Sequence, residues 1–366
     1  MVFNIDDFLA KAQKAGASDI HLNSGKVPAL RIRGEMYKIA AEPLTENDIK
    51  VILEKTLPDE FKKTMMNAKD IDYLYVLKGV SRYRINYAKE LNGGKFTFRS
   101  IPFNIKSLKE LSLPDCLEDF TNCNNGIILV SGATGSGKST TLASMLELIN
   151  QKYKYHIVTI EDPVEFVYED KKSVITQRSL GLDVEDFKSG IKYALRQDPD
   201  VILVGEIRDR ETLVSAVEAS ETGHLVFATV HTNGTVASIN RLKGFIEETA
   251  QDQFMKRLSA CIRGVIHQQL VPTTNEGKLT PAIEILTFTS TVVDYVKEGK
   301  LYDITSLMKK SRQPNITTMN MALFSLYQKG LITKETAMEY SLERVEMEQM
   351  LRGMYRDNTA LTESIL

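Results

Sequence analysis

One segment constrains this chain more than any other: residues 132–139, which read GATGSGKS. They match the pattern G-x-x-x-x-G-K-[ST], follow the apolar run GIILV and precede the helical stretch KSTTLASMLELIN. A glycine-rich loop between a strand and a helix turns backbone N–H groups toward bound phosphates, and the helix start adds partial positive charge. The segment therefore predicts a nucleotide-phosphate site in an α/β sheet.

The expected phosphate contacts come from consecutive residues of this loop and helix start. Lys138 is expected to reach the β- and γ-phosphates, and the Ser139 hydroxyl is expected to bind Mg²⁺. ATP and Mg²⁺ are therefore the predicted ligands. The predicted nucleotide-binding residues are Thr134, Gly135, Ser136, Gly137, Lys138, Ser139 and Thr140.

The chain after about residue 120 alternates short β-branched apolar runs, such as HIVTI, VILVG and LVFATV, with helical stretches. Such runs are typical of buried parallel strands, and the alternation predicts a layered α/β sheet. Asp183 and Asp209 are predicted helix N-caps. After about residue 250 the chain is predicted to be mostly helical.

Residues 1–102 predict a separate, smaller α/β domain. An amphipathic helix leads into strand-like alternation around a turn at Ser24-Gly25, and the runs SRYRINYA and KFTFRSI follow. Residues 103–118 are predicted to be a linker, and residues 119–366 an ATPase domain.

Polar residues follow three of the apolar runs at the same end. HIVTI ends at Glu161, with Glu165 close behind; VILVG ends before Glu206; LVFATV ends before His231. In open α/β sheets, ligands bind outside the carboxyl ends of the strands. Glu206 is the predicted general base for the attacking water, and His231 is expected to hydrogen-bond the γ-phosphate or Glu206. The alternative is a set of solvated charges at strand ends.

Arginines that stabilise the transferred phosphate often come from another domain or subunit in P-loop ATPases. The candidates are Arg82 and Arg84, at i and i+2 on one strand face, and Arg99. By sequence alone, a solvated strand face accounts for them equally well.

Composition excludes several classes of protein. The net charge of −2 argues against a nucleic-acid motor. The three cysteines form no C-x-x-C pair, which argues against a zinc ribbon and fits a reducing compartment. Because the longest apolar runs fall well short of the ~20 residues of a membrane span, we expect a cytoplasmic protein that reaches the membrane through a partner.

Four segments, taken in order, resemble the secretion ATPase superfamily: GATGSGKST, TIEDPVEF, RQDPDVILVGEIRDRET and TGHLVFATVHTN. They correspond to its Walker A, Asp, Walker B and His boxes, and SDIHLNSGKVPALRIRG resembles its N-terminal domain. Within this superfamily, the chain is most similar to the retraction ATPases of type IV pili. The similarity lies in its length and in two segments, HQQLVP at 267–272 and KGLITKETAM at 329–338.

The resemblance implies a small PAS-like α/β domain followed by a RecA-like P-loop ATPase domain with a helical C-terminal part. It implies a homohexamer in which a neighbouring N-terminal domain completes each ATP site. Glu206 would be the catalytic base, Glu165 would help to hold Mg²⁺, and Arg82, Arg84 and Arg99 would contact phosphate. The implied function is ATP-driven pilus retraction, and hence twitching motility, through an inner-membrane platform protein at the inner face of the cell membrane. Participation of a paralogous ATPase stays open.

The chain also departs from this family pattern. Residues 291–298, TVVDYVKE, stand where retraction ATPases carry A-I-R-N-L-I-R-E, so that Val293 and Lys297 replace two arginines. The departures leave the direction of filament movement open. An assembly or secretion ATPase is the first alternative, disfavoured by the length and the missing tetracysteine element. A non-catalytic nucleotide-binding scaffold ring is the second, disfavoured by the intact Lys138, Ser139 and Glu206.

Overall fold

A computed structural model of the chain describes residues 3–32, 34–58, 69–101 and 104–353. The chain forms two compact units, Met1–Asn104 and Ile105–Leu366. Each unit has its own β-sheet and its own hydrophobic core.

The first unit contains a six-stranded antiparallel sheet in the order β3-β2-β1-β6-β5-β4. Its helices begin at side-chain caps, Asn4 for α1 and the Thr45–Asp48 capping box for α2. The bounds are Ile5–Lys14 (α1), Ala17–Asn23 (β1), Ala29–Ile32 (β2), Glu35–Lys38 (β3), Glu46–Thr56 (α2), Asp70–Leu77 (β4), Ser81–Glu90 (β5) and Gly93–Ile101 (β6).

Strand alternation gives this sheet one apolar face and one polar face. On β6, Phe96 and Phe98 are fully buried in the core. Thr97 and Arg99 alternate with them and therefore lie on the opposite face. The basic strand residues that the sequence singles out lie on this second, polar face.

The second unit contains an eight-stranded sheet in the order β14-β13-β12-β7-β11-β10-β8-β9. Neighbouring strands from β12 through β9 are parallel, and β13 and β14 are antiparallel. The strands are Gly126–Ser131 (β7), His156–Glu161 (β8), Val174–Ser179 (β9), Val201–Val204 (β10), Leu225–Val230 (β11), Ile262–Pro272 (β12), Leu279–Thr287 (β13) and Ile316–Thr317 (β14).

Helices pack around this sheet and bury it between two hydrophobic clusters. Every residue of β7, β10 and β11 is buried, as the apolar runs predict. The helices are Leu117–Thr121 (α3), Lys138–Lys152 (α4), Phe187–Ala194 (α5), Arg210–Glu221 (α6), Thr235–Gly244 (α7), Gln251–Cys261 (α8), Ser290–Lys297 (α9), Leu301–Lys310 (α10), Met319–Gln328 (α11), Lys334–Tyr340 (α12) and Arg344–Leu351 (α13), with a 3₁₀ turn at Glu248–Ala250.

One local prediction is wrong and another is incomplete. The described chain after residue 250 forms six helices, as predicted, but the prediction missed the long antiparallel hairpin of β12 and β13, the third and second strands from one edge of the sheet. Asp183 does not cap α5: Asp186 does, accepting from the Ser189 N–H at 2.7 Å. Asp183 instead accepts from the Ser179 N–H within a turn. The Asp209 cap is confirmed by its bond from the Thr212 N–H.

The stretch predicted as a linker contributes to the second unit from Ile105 onward. Leu108, Leu113 and Leu117 are buried there against α4 and its neighbours. Among the residues that the structure describes, no helix is long and apolar enough to span a bilayer.

Candidate nucleotide site

Four motif loops meet at one edge of the second sheet. Strands β7, β11, β10 and β8 are parallel neighbours, so their carboxyl ends share that edge. The loop of residues 132–137, hereafter the P-loop, follows β7. The Asp-box segment (162–168) follows β8, Glu206 lies just beyond β10, and His231 follows β11. The structure therefore brings together the polar residues that the sequence placed at strand ends.

The P-loop depends on glycine at particular positions. Gly132, Gly135 and Gly137 all have positive φ, between 80° and 144°, a backbone region that side chains disfavour. A Cβ atom on Gly132 would also lie 2.4 Å from the Gln268 carbonyl oxygen. Gly137 precedes α4 without a side-chain cap, so the N–H groups of the first helical turn are available to an anion.

Lys138 and Ser136 place unusual polar groups inside this loop. The Lys138 Nζ donates to the carbonyls of Gly132 and Ala133, both at 2.9 Å, and the residue is only 8% exposed. Burial holds the pKa of Lys138 below its ordinary value, although the nearby carboxylates of Glu206 and Glu165 act in the opposite direction. The Ser136 hydroxyl is buried without a hydrogen-bond partner. A buried ammonium and an unpaired buried hydroxyl suit a site built for an anion.

Other predicted nucleotide-binding residues lie where solvent reaches the P-loop and the start of α4. Thr134, Gly135 and Ser139 are exposed, and Thr140 is half-buried. Ser139 is the second residue of α4, so its hydroxyl stands at the helix start.

Glu206 is at the centre of a charged cluster. Its Oε2 atom accepts from the Arg208 Nε at 2.7 Å and lies 3.5 Å from the His231 Nε2. Arg208 also places its Nη1 3.5 Å from the Asp162 Oδ2. The sequence analysis predicts that His231 hydrogen-bonds either the γ-phosphate or Glu206, and the structure places it beside Glu206. Arg208 connects the loops that follow β8 and β10.

The Asp-box segment is held by side chains from the strands beneath it. Gln177 on β9 donates to the Phe166 carbonyl at 2.7 Å and accepts from the Tyr168 N–H at 3.0 Å. The Glu165 N–H lies 3.4 Å from the Glu161 Oε2. Burial raises the pKa of Glu161 to about 7. These contacts hold the backbone from Glu165 to Tyr168. The Glu165 carboxylate is close enough to influence the pKa of Lys138.

Sequence reasoning missed two residues of this site. Arg208 lies in GEIRD (205–209), within the segment that resembles the Walker B box. Its position two residues after the candidate base was the one signal that could have identified it. Gln268 lies in HQQLVP and bonds to the P-loop, donating to the Ser136 carbonyl and accepting from the Thr141 hydroxyl. The resemblance drew attention to HQQLVP, but nothing in the sequence indicated that it lies beside the P-loop.

The candidate arginines belong to the first compact unit. Arg82 and Arg84 lie on β5, and Arg84 pairs across the sheet with Arg99 on β6. The Arg99 Nε donates to the Asp19 Oδ1 at 2.8 Å. Burial alone would raise the pKa of Asp19, but hydrogen bonds from Arg99 and Ser18 hold it below its ordinary value. By strand alternation the three arginines share the polar face of this sheet.

Comparisons with known proteins agree with this architecture. Residues 89–357 match the family described as Type II/IV secretion system protein. The chain is 36% identical to the type IV pilus retraction ATPase PilT of Pseudomonas aeruginosa, over 92% of this chain and 97% of PilT. It is 32% identical to the type IV pilus ATPase PilU of the same organism, over 92% of this chain and 88% of PilU.

A solved structure gives the same result for the fold. The crystal structure of the pilus retraction motor PilT with bound ADP superposes with a TM-score of 0.89 at 39% identity, covering 95% of this chain and all of that one. The predicted combination of an N-terminal α/β domain and a P-loop ATPase domain is thereby confirmed.

Proposed function

Because this chain belongs to the type II/IV secretion system protein family and resembles pilus retraction ATPases along nearly its whole length, we propose that it is an ATPase that powers retraction of a type IV pilus. The observation that carries the proposal is the charged cluster at the sheet edge. It sets Glu206 against Arg208 and His231, close to the buried Lys138 of the P-loop.

The P-loop side of this cluster suits a nucleoside triphosphate. Lys138 would exchange the two loop carbonyls that it now contacts for oxygens of the β- and γ-phosphates. The unpaired Ser136 hydroxyl and the first N–H groups of α4 would supply further donors. A helix start and a buried ammonium then hold the phosphates in one place, which orients the γ-phosphate toward the β10 and β11 loops.

The donors for a magnesium ion are also present. The exposed Ser139 hydroxyl and the Glu165 carboxylate are oxygen ligands of the kind that Mg²⁺ takes. Ser139 lies at the start of α4 and Glu165 in the Asp-box segment, at the same edge of the sheet. When bound there, the ion would neutralise charge on the phosphate oxygens.

Glu206 is the proposed general base. Its carboxylate is 16% exposed, enclosed yet open to one side, and it would take the proton from the water that attacks the γ-phosphate. His231, 3.5 Å from the same oxygen, would orient that carboxylate or contact the γ-phosphate. A positioned base of this kind contributes roughly 10²–10⁴-fold to the rate.

The polar face of the N-terminal sheet would complete the site. Arg82, Arg84 and Arg99 would stabilise phosphate charge, supplied by a neighbouring subunit of a homohexamer. Movement of these faces with nucleotide state would turn an inner-membrane platform protein, to which the ring binds from the cytoplasm. The proposed partners are therefore further copies of this chain and that platform protein; a paralogue resembling PilU is a third candidate.

The departures from the retraction pattern lie away from this chemistry. Residues 291–298 fall largely on α9, where Val292 and Val296 are buried and Lys297 is exposed. The two replaced arginine positions, 293 and 297, are therefore a half-buried and an exposed site on one helix. These changes leave the P-loop and Glu206 as they are, and we propose that they affect coupling to the filament and not the ATP chemistry.

The test compares Mg-ATPase activity of the purified wild type with Glu206→Gln, with oligomeric state measured on the same preparations. The expected result is a hexamer whose turnover falls at least about 10²-fold in the variant, while ATP binding persists. Glu211→Gln, an exposed glutamate in the first turn of α6, is the matched control and should keep full activity. An equally active Glu206→Gln would refute the assignment, and a wild type that binds ATP without hydrolysis would favour a scaffold ring.

The direction of movement is tested in cells. Deleting the gene of a retraction motor should leave surplus surface pili and abolish twitching motility. Loss of pili instead would identify an assembly ATPase built on the same chemistry.

A further inference from the structure

Gln268 lies directly against the P-loop. It belongs to β12, which pairs in parallel with the P-loop strand β7. Pairing ends with His267 opposite Ser131, so Gln268 stands one residue beyond the last pair, where β7 has already turned into the loop. Its side chain is 3% exposed. A polar side chain buried this deeply needs partners.

The Gln268 amide makes two hydrogen bonds of opposite sense. Its Nε2 donates to the Ser136 carbonyl at 2.8 Å, and its Oε1 accepts from the Thr141 hydroxyl at 2.7 Å. Ser136 belongs to the P-loop and Thr141 to the first turn of α4, so one side chain ties the loop to the helix. The contact is close, because a Cβ atom on Gly137 would lie 2.6 Å from the Gln268 Nε2.

This bond fixes the direction of a backbone donor. The Ser136 carbonyl and the Gly137 N–H belong to one peptide group, which is planar and trans, so they point in opposite directions. A carbonyl held on Gln268 therefore turns the Gly137 N–H away from β12. That N–H then faces the open side of the loop, where the start of α4 favours an anion.

We propose that Gln268 is a positioning residue of the phosphate site, aiming the Gly137 N–H at the β-phosphate of a bound nucleoside di- or triphosphate. The inference rests on the proposed nucleotide-binding function and adds the group that sets the loop's conformation. Glutamine suits this position because its amide supplies one donor and one acceptor. Glutamate at position 268 supplies no donor when ionised, and methionine supplies neither a donor nor a strong acceptor.

The experiment measures the affinity of the full chain for fluorescent ADP in wild type, Gln268→Glu and Gln268→Met. Gln269→Glu and Gln269→Met are matched controls, since the neighbouring side chain points to the other face of β12 and lies near His267. Each protein is also unfolded thermally without nucleotide. We expect the Gln268 variants to lose about tenfold in ADP affinity, the scale of one lost hydrogen bond at a binding site, and the controls to change by less than about twofold.

Competition with AMP distinguishes a lost contact with the β-phosphate from a general loss of stability. AMP lacks the β-phosphate, so the preference for ADP over AMP should shrink in the Gln268 variants and persist in the Gln269 variants. A general loss of stability would weaken both ligands alike. If the Gln268 substitutions prevent folding, Thr141→Val serves instead: it keeps the side-chain shape and removes the hydroxyl that anchors the amide, with an expected loss of about threefold in ADP affinity.

The outcomes separate this inference from the proposed function. Unchanged ADP affinity and ADP-over-AMP preference in the Gln268 variants, with a lowered unfolding midpoint, would make Gln268 a fold-stabilising residue and overturn the inference alone. Unchanged affinity in Thr141→Val would do the same where the Gln268 variants do not fold. A wild type that fails to bind ADP would overturn the proposed function together with the inference.

Discussion

Removing Arg208 tests how the proposed base is held. The Arg208 Nε donates to the Glu206 Oε2 at 2.7 Å, and its Nη1 lies 3.5 Å from the Asp162 Oδ2. One side chain thus connects the loop after β10 with the loop after β8. If Arg208 acts by orienting Glu206, its effect on catalysis requires the Glu206 carboxylate.

The geometry gives the size of the effect. A hydrogen bond between charged groups contributes about 1.5–3 kcal/mol. Arg208 is 59% exposed, and solvent screening lowers this to about 1 kcal/mol. The longer contact to Asp162 is at the limit of a hydrogen bond and adds little. A loss of about 1 kcal/mol in the transition state corresponds to about a fivefold fall in kcat/KM for Arg208→Ala.

The assay is a double-mutant cycle in Mg-ATPase activity on wild type, Arg208→Ala, Glu206→Gln and the double variant. We expect Arg208→Ala to lower kcat/KM about fivefold when Glu206 is present and to change nothing in the Glu206→Gln background. Arg210→Ala, two residues further along and exposed at the start of α6, is the matched control. Equal fivefold losses in both backgrounds would refute the reasoning, because Arg208 would then act on the phosphates independently of Glu206.

Two further predictions concern stability. Since burial raises the pKa of Glu161 to about 7 in the folded protein, above the ~4.3 of an unfolded glutamate, the folded state binds the proton more tightly and stability falls as pH rises from about 4.5 to 7. Because a difference of about 2.7 pKa units corresponds to about 3–4 kcal/mol, Glu161→Gln should raise the free energy of unfolding by about that much at pH 8 and have little effect at pH 4 in urea titrations without magnesium; a gain independent of pH would contradict this. Glu284 accepts from the backbone N–H groups of Thr235 and Met319, so Glu284→Ala should lower the free energy of unfolding by about 3–5 kcal/mol. The exposed control Glu339→Ala should stay within about 0.5 kcal/mol of wild type, and a Glu284→Ala loss no larger than that would show that the two helix starts do not need the carboxylate.

The features that the sequence predicts well are those whose signal is local. The P-loop needs glycines at set positions between a strand and a helix, and all of them lie within eight consecutive residues, 132–139. The strands β7, β10 and β11 are buried on both faces, so each reads as an unbroken apolar run. Because those strands are parallel, Glu206 and His231 fall at the same edge of the sheet. The Glu206 Oε2 and His231 Nε2 atoms lie 3.5 Å apart there.

The β12–β13 hairpin was missed for the opposite reason. Its buried positions include His267, Gln268 and Glu284, which break the apolar pattern by which a buried strand is found. Each is satisfied by a partner distant in sequence: Ser131 lies 3.2 Å from His267, Ser136 and Thr141 bond Gln268, and Thr235 bonds Glu284. No pattern in a single sequence reveals such pairs, because the energy that permits the buried polar group comes from the fold itself.

One of the residues that conceal this hairpin, Gln268, also organises the site. The motif loops carry the groups that would touch ATP, but a loop has few internal bonds with which to hold a conformation. Here polar side chains that each contact two groups hold the loops in place. Gln268 holds the P-loop, Gln177 holds the Asp-box segment and Arg208 holds Glu206. Gln268 and Gln177 project from strands next to the loops they hold, and Arg208 follows the end of β10. Substitutions at these three positions should therefore lower nucleotide affinity or turnover, although Gln268 and Gln177 lie outside the four motif segments and Arg208 is not among the predicted catalytic residues.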